Sequence, residues 1–465
     1  MKTFATTTLL LLTTAFCLSC NSEEDEYIYP EHLPNLTERT YAGGQTTVFS
    51  EISSAYSVPA TNLSFEQEEQ HNSGDALFEA TFITAPAVNN PGLGPIFNNS
   101  SCISCHPKDG RAPFPTVLNR RSGFFFRVSM PGEDPHTGAM IPVSGFGTQV
   151  QNQAILGHTP EASFAVSYTE IVETFEDGTK VVLRKPHYRM ENTYIPLPAG
   201  VLISPRIGPP VFGLGLLESV PDADIIAASD PDDHDGDGIS GKVNWVWDAV
   251  SRSKKIGRFG WKANTATLLE QSAAAFVNDM GITNYLFPQE TGAGQTNGDD
   301  GLSDDPEIDR QTLDDVAFYC QTLAVPAARN LNKPSVRNGA RLFEKAECAK
   351  CHTPKQRTLQ APISALANQT FYPYTDMLLH DMGEDLADGR PDFLANGREW
   401  RTRPLWGIGL QDMVNGHTEF LHDGRAKNII EAILWHGGEV LRSKEIFKKL
   451  SKKERADLLE FLNSI

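Results

Sequence analysis

Two pentapeptides constrain this chain more than anything else in it: Cys102-Ile103-Ser104-Cys105-His106 and Cys348-Ala349-Lys350-Cys351-His352. Both read C-x-x-C-H, the attachment signature of a c-type haem. The spacing has a chemical reason. Two thiols one helical turn apart can add across the two vinyl groups of the macrocycle, and the adjacent imidazole then reaches the iron as proximal ligand. A zinc site would need further Cys or paired His at ligand spacing, and neither motif has them nearby. A redox dithiol does not require the following His twice. Of the seven cysteines, Cys17 and Cys20 lie in an apolar leader, four lie in the motifs and Cys320 stands alone, where it reads as a small buried residue. The expectation is two covalently bound haems, held by Cys102, Cys105 and His106 and by Cys348, Cys351 and His352.

The surroundings of the motifs repeat one grammar. Gly339 and Phe343 stand four apart on an amphipathic stretch, Val336 to Lys345, ahead of the second motif. The last segment places Leu458, Leu459, Phe461 and Leu462 on one helical face. Gly74 and Phe78 precede the first motif in the same way, and Leu313 to Leu323 reads as its closing helix, ended by Pro326. In c-type cytochrome domains the first helix crosses the last at a small residue, which Gly74 and Gly339 suit. The chain therefore reads as mainly α, with two cytochrome c-like domains in tandem at 71–330 and 331–465. The first carries a large irregular insertion, 120–259, with a few short strands such as Phe164 to Val172 and Lys180 to Arg184.

At 465 residues, two or more domains are the prior. A net charge of −19 argues against a nucleic-acid partner. It leaves room for a small basic cytochrome, drawn in by opposite charge as electron donor or acceptor. Residues 1–19 read as a secretory signal too short to span a bilayer. Cys17-Leu18-Ser19-Cys20 resembles a bacterial lipobox, which implies lipid attachment at Cys20 and anchoring at the outer membrane, on its periplasmic or cell-surface face. The polar, acidic stretch that follows, to about residue 70, reads as a tether with little core of its own.

Several further segments carry a family resemblance. Trp261-Lys262-Ala263-Asn264, with Gln271 ten residues after the Trp, resembles the stretch of bacterial di-haem cytochrome c peroxidases in which a Trp bridges the haems. Arg401-Thr402-Arg403-Pro404-Leu405-Trp406 and Phe420-Leu421-His422-Asp423-Gly424 resemble the same enzymes ahead of the distal ligand of the C-terminal haem. Ile203-Ser204-Pro205-Arg206, Gly213 to Glu218, Leu379-His380-Asp381-Met382-Gly383 and Trp435-His436-Gly437-Gly438-Glu439 resemble a subfamily, the di-haem oxidoreductases, also called thiol oxidoreductases. The resemblance covers residues 71 to 465.

That resemblance implies a peroxidase-like oxidoreductase, with electrons entering at the C-terminal haem and passing Trp261. A small oxidant such as hydrogen peroxide would be reduced at the N-terminal haem. It also implies departures. His436 stands where the peroxidases usually have a Met as sixth ligand, and reads either as that ligand or as a helix-end surface residue; His380 and Met382 compete with it. Pro115-Thr116-Val117-Leu118-Asn119 follows His106 almost at once, so the loop bearing a displaceable distal His is missing. The first iron is then open, or ligated from the insertion by His136, His158, His187, Met130 or Met140. Gly281 occupies the position of the catalytic Glu, so that proton-transfer role is vacant unless Asp279 or Glu218 fills it.

Asp233, Asp235 and Asp237, followed by Gly238, open like an EF-hand calcium loop, with Asn244 rather than Glu at position twelve. The same run also reads as an acidic turn. Besides the peroxidase-like enzyme, two functions stay open: a non-catalytic electron-transfer or redox-sensing cytochrome, and an enzyme that oxidises thiols or a protein partner.

Overall fold

The computed structural model of the chain describes residues 28–465 except 293, 299 and 300; the signal and the Cys20 lipid site lie outside them. Two helix pairs frame the molecule. The first pairs Phe65–Glu79 with Arg310–Thr322, and the second pairs Pro334–Lys345 with Lys452–Leu462. Local chemistry starts each helix. Ser64 with Gln67 and Ser451 with Glu454 form capping boxes, the Asp309 side chain caps Arg310–Thr322, and Pro334 sits in the first turn of Pro334–Lys345.

The two crossings are built alike. A Cβ on Gly74 would collide with the Asp315 carbonyl and come within 2.7 Å of the Tyr319 Cβ. A Cβ on Gly339 would collide with the Asp457 carbonyl and come within 2.6 Å of the Phe461 Cβ. In each pair the opening helix thus lies directly against the backbone of the closing one, at residues four apart.

The expectation of a mainly α chain is wrong. Helix accounts for 28% and strand for 17%, the strand being spread over several small sheets. Helices form where the chain closes around a motif. Elsewhere glycines and prolines, 37 and 30 in the whole chain, interrupt it too often for long helices, and β-branched and aromatic runs pair locally instead. In the insertion, Phe124–Ser129 is the central strand between Gln149–Val150 and Leu202–Ile207, both antiparallel to it.

A hairpin of Ser163–Thr174 and Lys180–Glu191 leaves this sheet and is longer than the two short strands expected. Its root packs Phe164 on Phe126, with ring centroids 4.2 Å apart. Its tip lands on the last two helices. There Phe175 meets Phe447 edge-on, Asp177 pairs with Arg455 at 2.5 Å, and Glu173 sits between Lys444 and Lys448 at 2.6 and 2.9 Å.

A second correction concerns the tether. Leu36, Ala55 and Tyr56 are fully buried. Tyr56 stacks on Phe212 and donates its hydroxyl to the Gly407 carbonyl, and the Ala42 carbonyl accepts from the Tyr372 amide. The segment from Leu33 to Asn62 is a strap laid along the body, held by backbone bonds and isolated side chains. A polar, turn-rich composition gives no periodic signal for such packing.

Candidate functional site

Each motif opens onto a cavity. In the C-terminal one, Cys348 and Cys351 lie on a single turn. His352 Nδ1 donates to the Tyr374 carbonyl at 3.0 Å, which fixes the tautomer and leaves Nε2 free. The cavity is lined by Phe343, Leu386, Ile429, Leu458 and Leu462, and it contains His436. His436 Nδ1 donates to the Ala432 carbonyl, one turn earlier, at 2.8 Å, so this ring also keeps Nε2 free. Burial lowers the pKa of both, His352 to about 4. Both are therefore neutral imidazoles, the form that binds iron.

Of the two competing ligands, Met382 lines the cavity. His380 has no nitrogen to offer. Its Nε2 bonds Asp376 at 2.8 Å and its Nδ1 bonds Glu439 at 2.5 Å. Burial works against a charge there, but the Asp376 carboxylate overcomes it and raises the pKa well above the usual value. Asp376 lies four residues before His380, but Glu439 comes from 59 residues further along, so the sequence does not show the clamp as a whole.

The N-terminal cavity repeats the proximal arrangement. Cys102–Cys105 is one helical turn, and His106 Nδ1 donates to the Pro209 carbonyl at 2.7 Å. Phe78 stands 6.2 Å from the His106 ring, as Phe343 stands 6.4 Å from His352. Of the five candidate ligands in the insertion, Met140 lines the cavity. His136 packs on Trp247, His158 bonds the Asn297 carbonyl and His187 bonds Thr169. Gln271 and Asp279 line the cavity. Burial pushes the Asp279 carboxyl up to about 6, against a hydrogen bond from Gln149 and the charge of Arg127. Glu218 is placed elsewhere: it accepts from the Leu268 amide at 2.7 Å and from Gln321 at 2.6 Å, anchoring the start of helix Leu268–Met280.

Trp261 lines both cavities. Its Nε1 donates to the Ile207 carbonyl at 2.8 Å, and the guanidinium groups of Arg111 and Arg403 lie over its ring, 5.6 and 4.9 Å from the centroid. Arg401 and Arg403 also line both cavities. Burial lowers Arg111 and Arg401 to about 10 and Arg403 further. Arg111 Nε and Arg401 Nη1 are buried without a hydrogen-bond partner. Each guanidinium has one other bond, Arg111 to the Leu421 carbonyl and Arg401 to the Gly260 carbonyl, but an unsatisfied nitrogen on a buried cation is costly unless an anion meets it.

These residues fit haem. Each cavity offers an apolar hollow, two thiols and an imidazole with a free Nε2, and the shared wall offers cations for the carboxylate arms of the macrocycles. Arg111 was not legible as a site residue, because its partners lie in the other half of the chain.

The carboxylates of Asp233, Asp235 and Asp237 come within 4.8 Å of one another. Asp237 also pairs with Lys350, inside the second motif, at 3.0 Å. Asn244, at position twelve, is turned away: its amide donates to the carbonyls of Lys262 and Asp392, and its oxygen accepts from the Leu394 amide.

Residues 36–465 match the model of the family described as "Di-haem oxidoreductase, putative peroxidase". No curated protein matches the chain.

Proposed function

The chain belongs to the di-haem oxidoreductases, and on that premise we propose a c-type, peroxidase-like enzyme in which electrons enter at the Cys348–His352 haem and pass by Trp261 to the Cys102–His106 haem, where a small oxidant such as hydrogen peroxide is reduced. The observation that carries this reading is the position of Trp261, whose side chain borders both cavities. Bound haems would supply the two electrons that convert peroxide and two protons to two waters.

The chain's own residues divide the remaining work. Cys102 and Cys105, and Cys348 and Cys351, would hold the macrocycles covalently through thioether bonds. His106 and His352 would hold the irons through their free Nε2 atoms, and His436 would be a second ligand at the C-terminal site, which would suit that site to electron transfer rather than chemistry on a substrate. Asp279 takes a proton from the oxidant and returns it to the departing oxygen, while Gln271 borders the same space. Arg111, Arg401 and Arg403 would bind the carboxylate arms of the macrocycles.

Three attendant proposals complete the reading. A small basic cytochrome is the electron partner, attracted by the net charge of −19. Cys20 carries lipid and anchors the protein at the outer membrane. The Asp233, Asp235 and Asp237 loop binds calcium weakly, without help from Asn244.

Met140 favours a second reading, an electron carrier whose first iron is closed by the thioether. Mixing the reduced protein with hydrogen peroxide separates the two. The enzyme reading expects rapid, stoichiometric reoxidation with loss of peroxide, and a carrier expects neither. Mass spectrometry of the denatured protein checks covalent attachment, with two haem masses retained.

A further inference from the structure

The family resemblance leaves unexplained why the insertion's sheet is pressed against the first cavity. Gln149 and Arg127 face each other across neighbouring strands of that sheet, as direct partners in the ladder, and both line the cavity. The buried Gln149 amide donates to Asp279 Oδ1 at 2.6 Å and to Asn98 Oδ1 at 2.8 Å, and its oxygen accepts from Arg127 Nη1 at 3.4 Å. The Asp279 backbone is pinned separately, since its carbonyl accepts from the amides of Asn98 and Asn99 at 2.8 and 3.0 Å. The backbone therefore fixes where Asp279 sits, and the inserted sheet fixes where its carboxyl group points.

We propose that Gln149 and Arg127 are positioning residues for the Asp279 carboxyl group, so that the insertion is a working wall of the first cavity. This rests on the reading of peroxide reduction given above. A carboxyl group in a buried hollow with no donor is held neutral and cannot accept a proton. The Gln149 amide and the Arg127 charge both favour its ionised form, in opposition to burial. The other titratable groups that face it are the Cys102 and Cys105 thiols, which thioether formation removes from titration. Arg390 and Asp392, in the same cavity, pair with each other at 3.0 Å.

The test is a pH titration of the carboxyl stretch in infrared difference spectra of the haem-loaded protein, with Asp279→Asn assigning the band. The expected midpoint in the wild type is about 6. Gln149→Leu and Arg127→Gln should each raise it by about one unit, and the acid limb of peroxide consumption should move up with it. If Gln149→Leu does not fold, Arg127→Gln carries the test. An unmoved midpoint in the variants that fold overturns the proposal. A wild type inert to peroxide overturns the functional reading instead, while the infrared midpoint still decides the role of Gln149 and Arg127.

Discussion

The guanidinium carbon of Arg403 lies 4.9 Å from the centroid of the Trp261 ring, and Arg111 approaches the same ring at 5.6 Å. Cations facing the π cloud make it costly to remove an electron from the indole. On the proposed electron path, Trp261 would therefore act as a bridge without an oxidised indole accumulating. Trp261→Phe keeps an apolar ring and should slow electron transfer between the haems by about tenfold or more, equivalent to about 1.4 kcal/mol of barrier. Flash or stopped-flow reduction reads this rate; an unchanged rate would show that electrons pass by another route. The variant also leaves the buried Ile207 carbonyl without its donor, at a cost of about 1–3 kcal/mol in stability.

His436 offers a second handle. With Nδ1 committed to Ala432, its Nε2 is the atom available to iron. Histidine stabilises ferric iron more than methionine does, so His436→Met should raise the potential of the C-terminal haem by on the order of 0.1 V. His436→Gly should give that haem a high-spin signal. A redox titration in which neither variant changes one of the two potentials would remove His436 from the coordination sphere.

The helix crossings make a prediction about stability alone. Gly339→Ala puts a Cβ into the Asp457 carbonyl, and the backbones have to separate. The expected loss is about 1–3 kcal/mol, with a matching fall in melting temperature, and Gly74→Ala should behave alike. A melting curve that does not move would mean that the helices do not cross at these glycines.

Glu161 links the insertion to pH. It is buried beneath the root of the hairpin, accepts from the Gln151 amide at 2.5 Å, and is pushed by burial up to about 8. Between the carboxyl's ordinary value and about 8, the folded protein binds a proton that the unfolded chain does not. Stability from this group is therefore complete below the ordinary value and lost as pH rises through about 8, a change of a few kcal/mol (~5 as an upper figure). Glu161→Gln should flatten that decline, as melting temperatures from pH 5 to 9 will show. A wild type and variant of equal slope would contradict the assignment.

The haem motifs and the glycines at the crossings were legible because their chemistry is local: a fixed spacing of thiols and imidazole, or one small residue on a helix face. His436 was legible from its context but not the reason it faces the cavity, which is a bond to Ala432 within its own turn. What could not be read depends on contacts between distant segments. The Arg111, Arg401 and Arg403 wall brings together positions about 290 residues apart. The clamp on His380 draws Glu439 from beyond the motif, and the strap around Tyr56 has no periodicity at all. The strand content was underestimated for a related reason. Short strands such as Glu399–Arg401 exist only because Leu379–Asp381 lies beside them.

The most direct test of the central claim is electron paramagnetic resonance of the fully oxidised protein, before and after one equivalent of hydrogen peroxide. The account predicts one low-spin centre, from His352 and His436, and one high-spin centre, at His106, with only the high-spin signal altered by peroxide. Two low-spin signals that peroxide leaves unchanged would contradict it, and would make this protein an electron carrier.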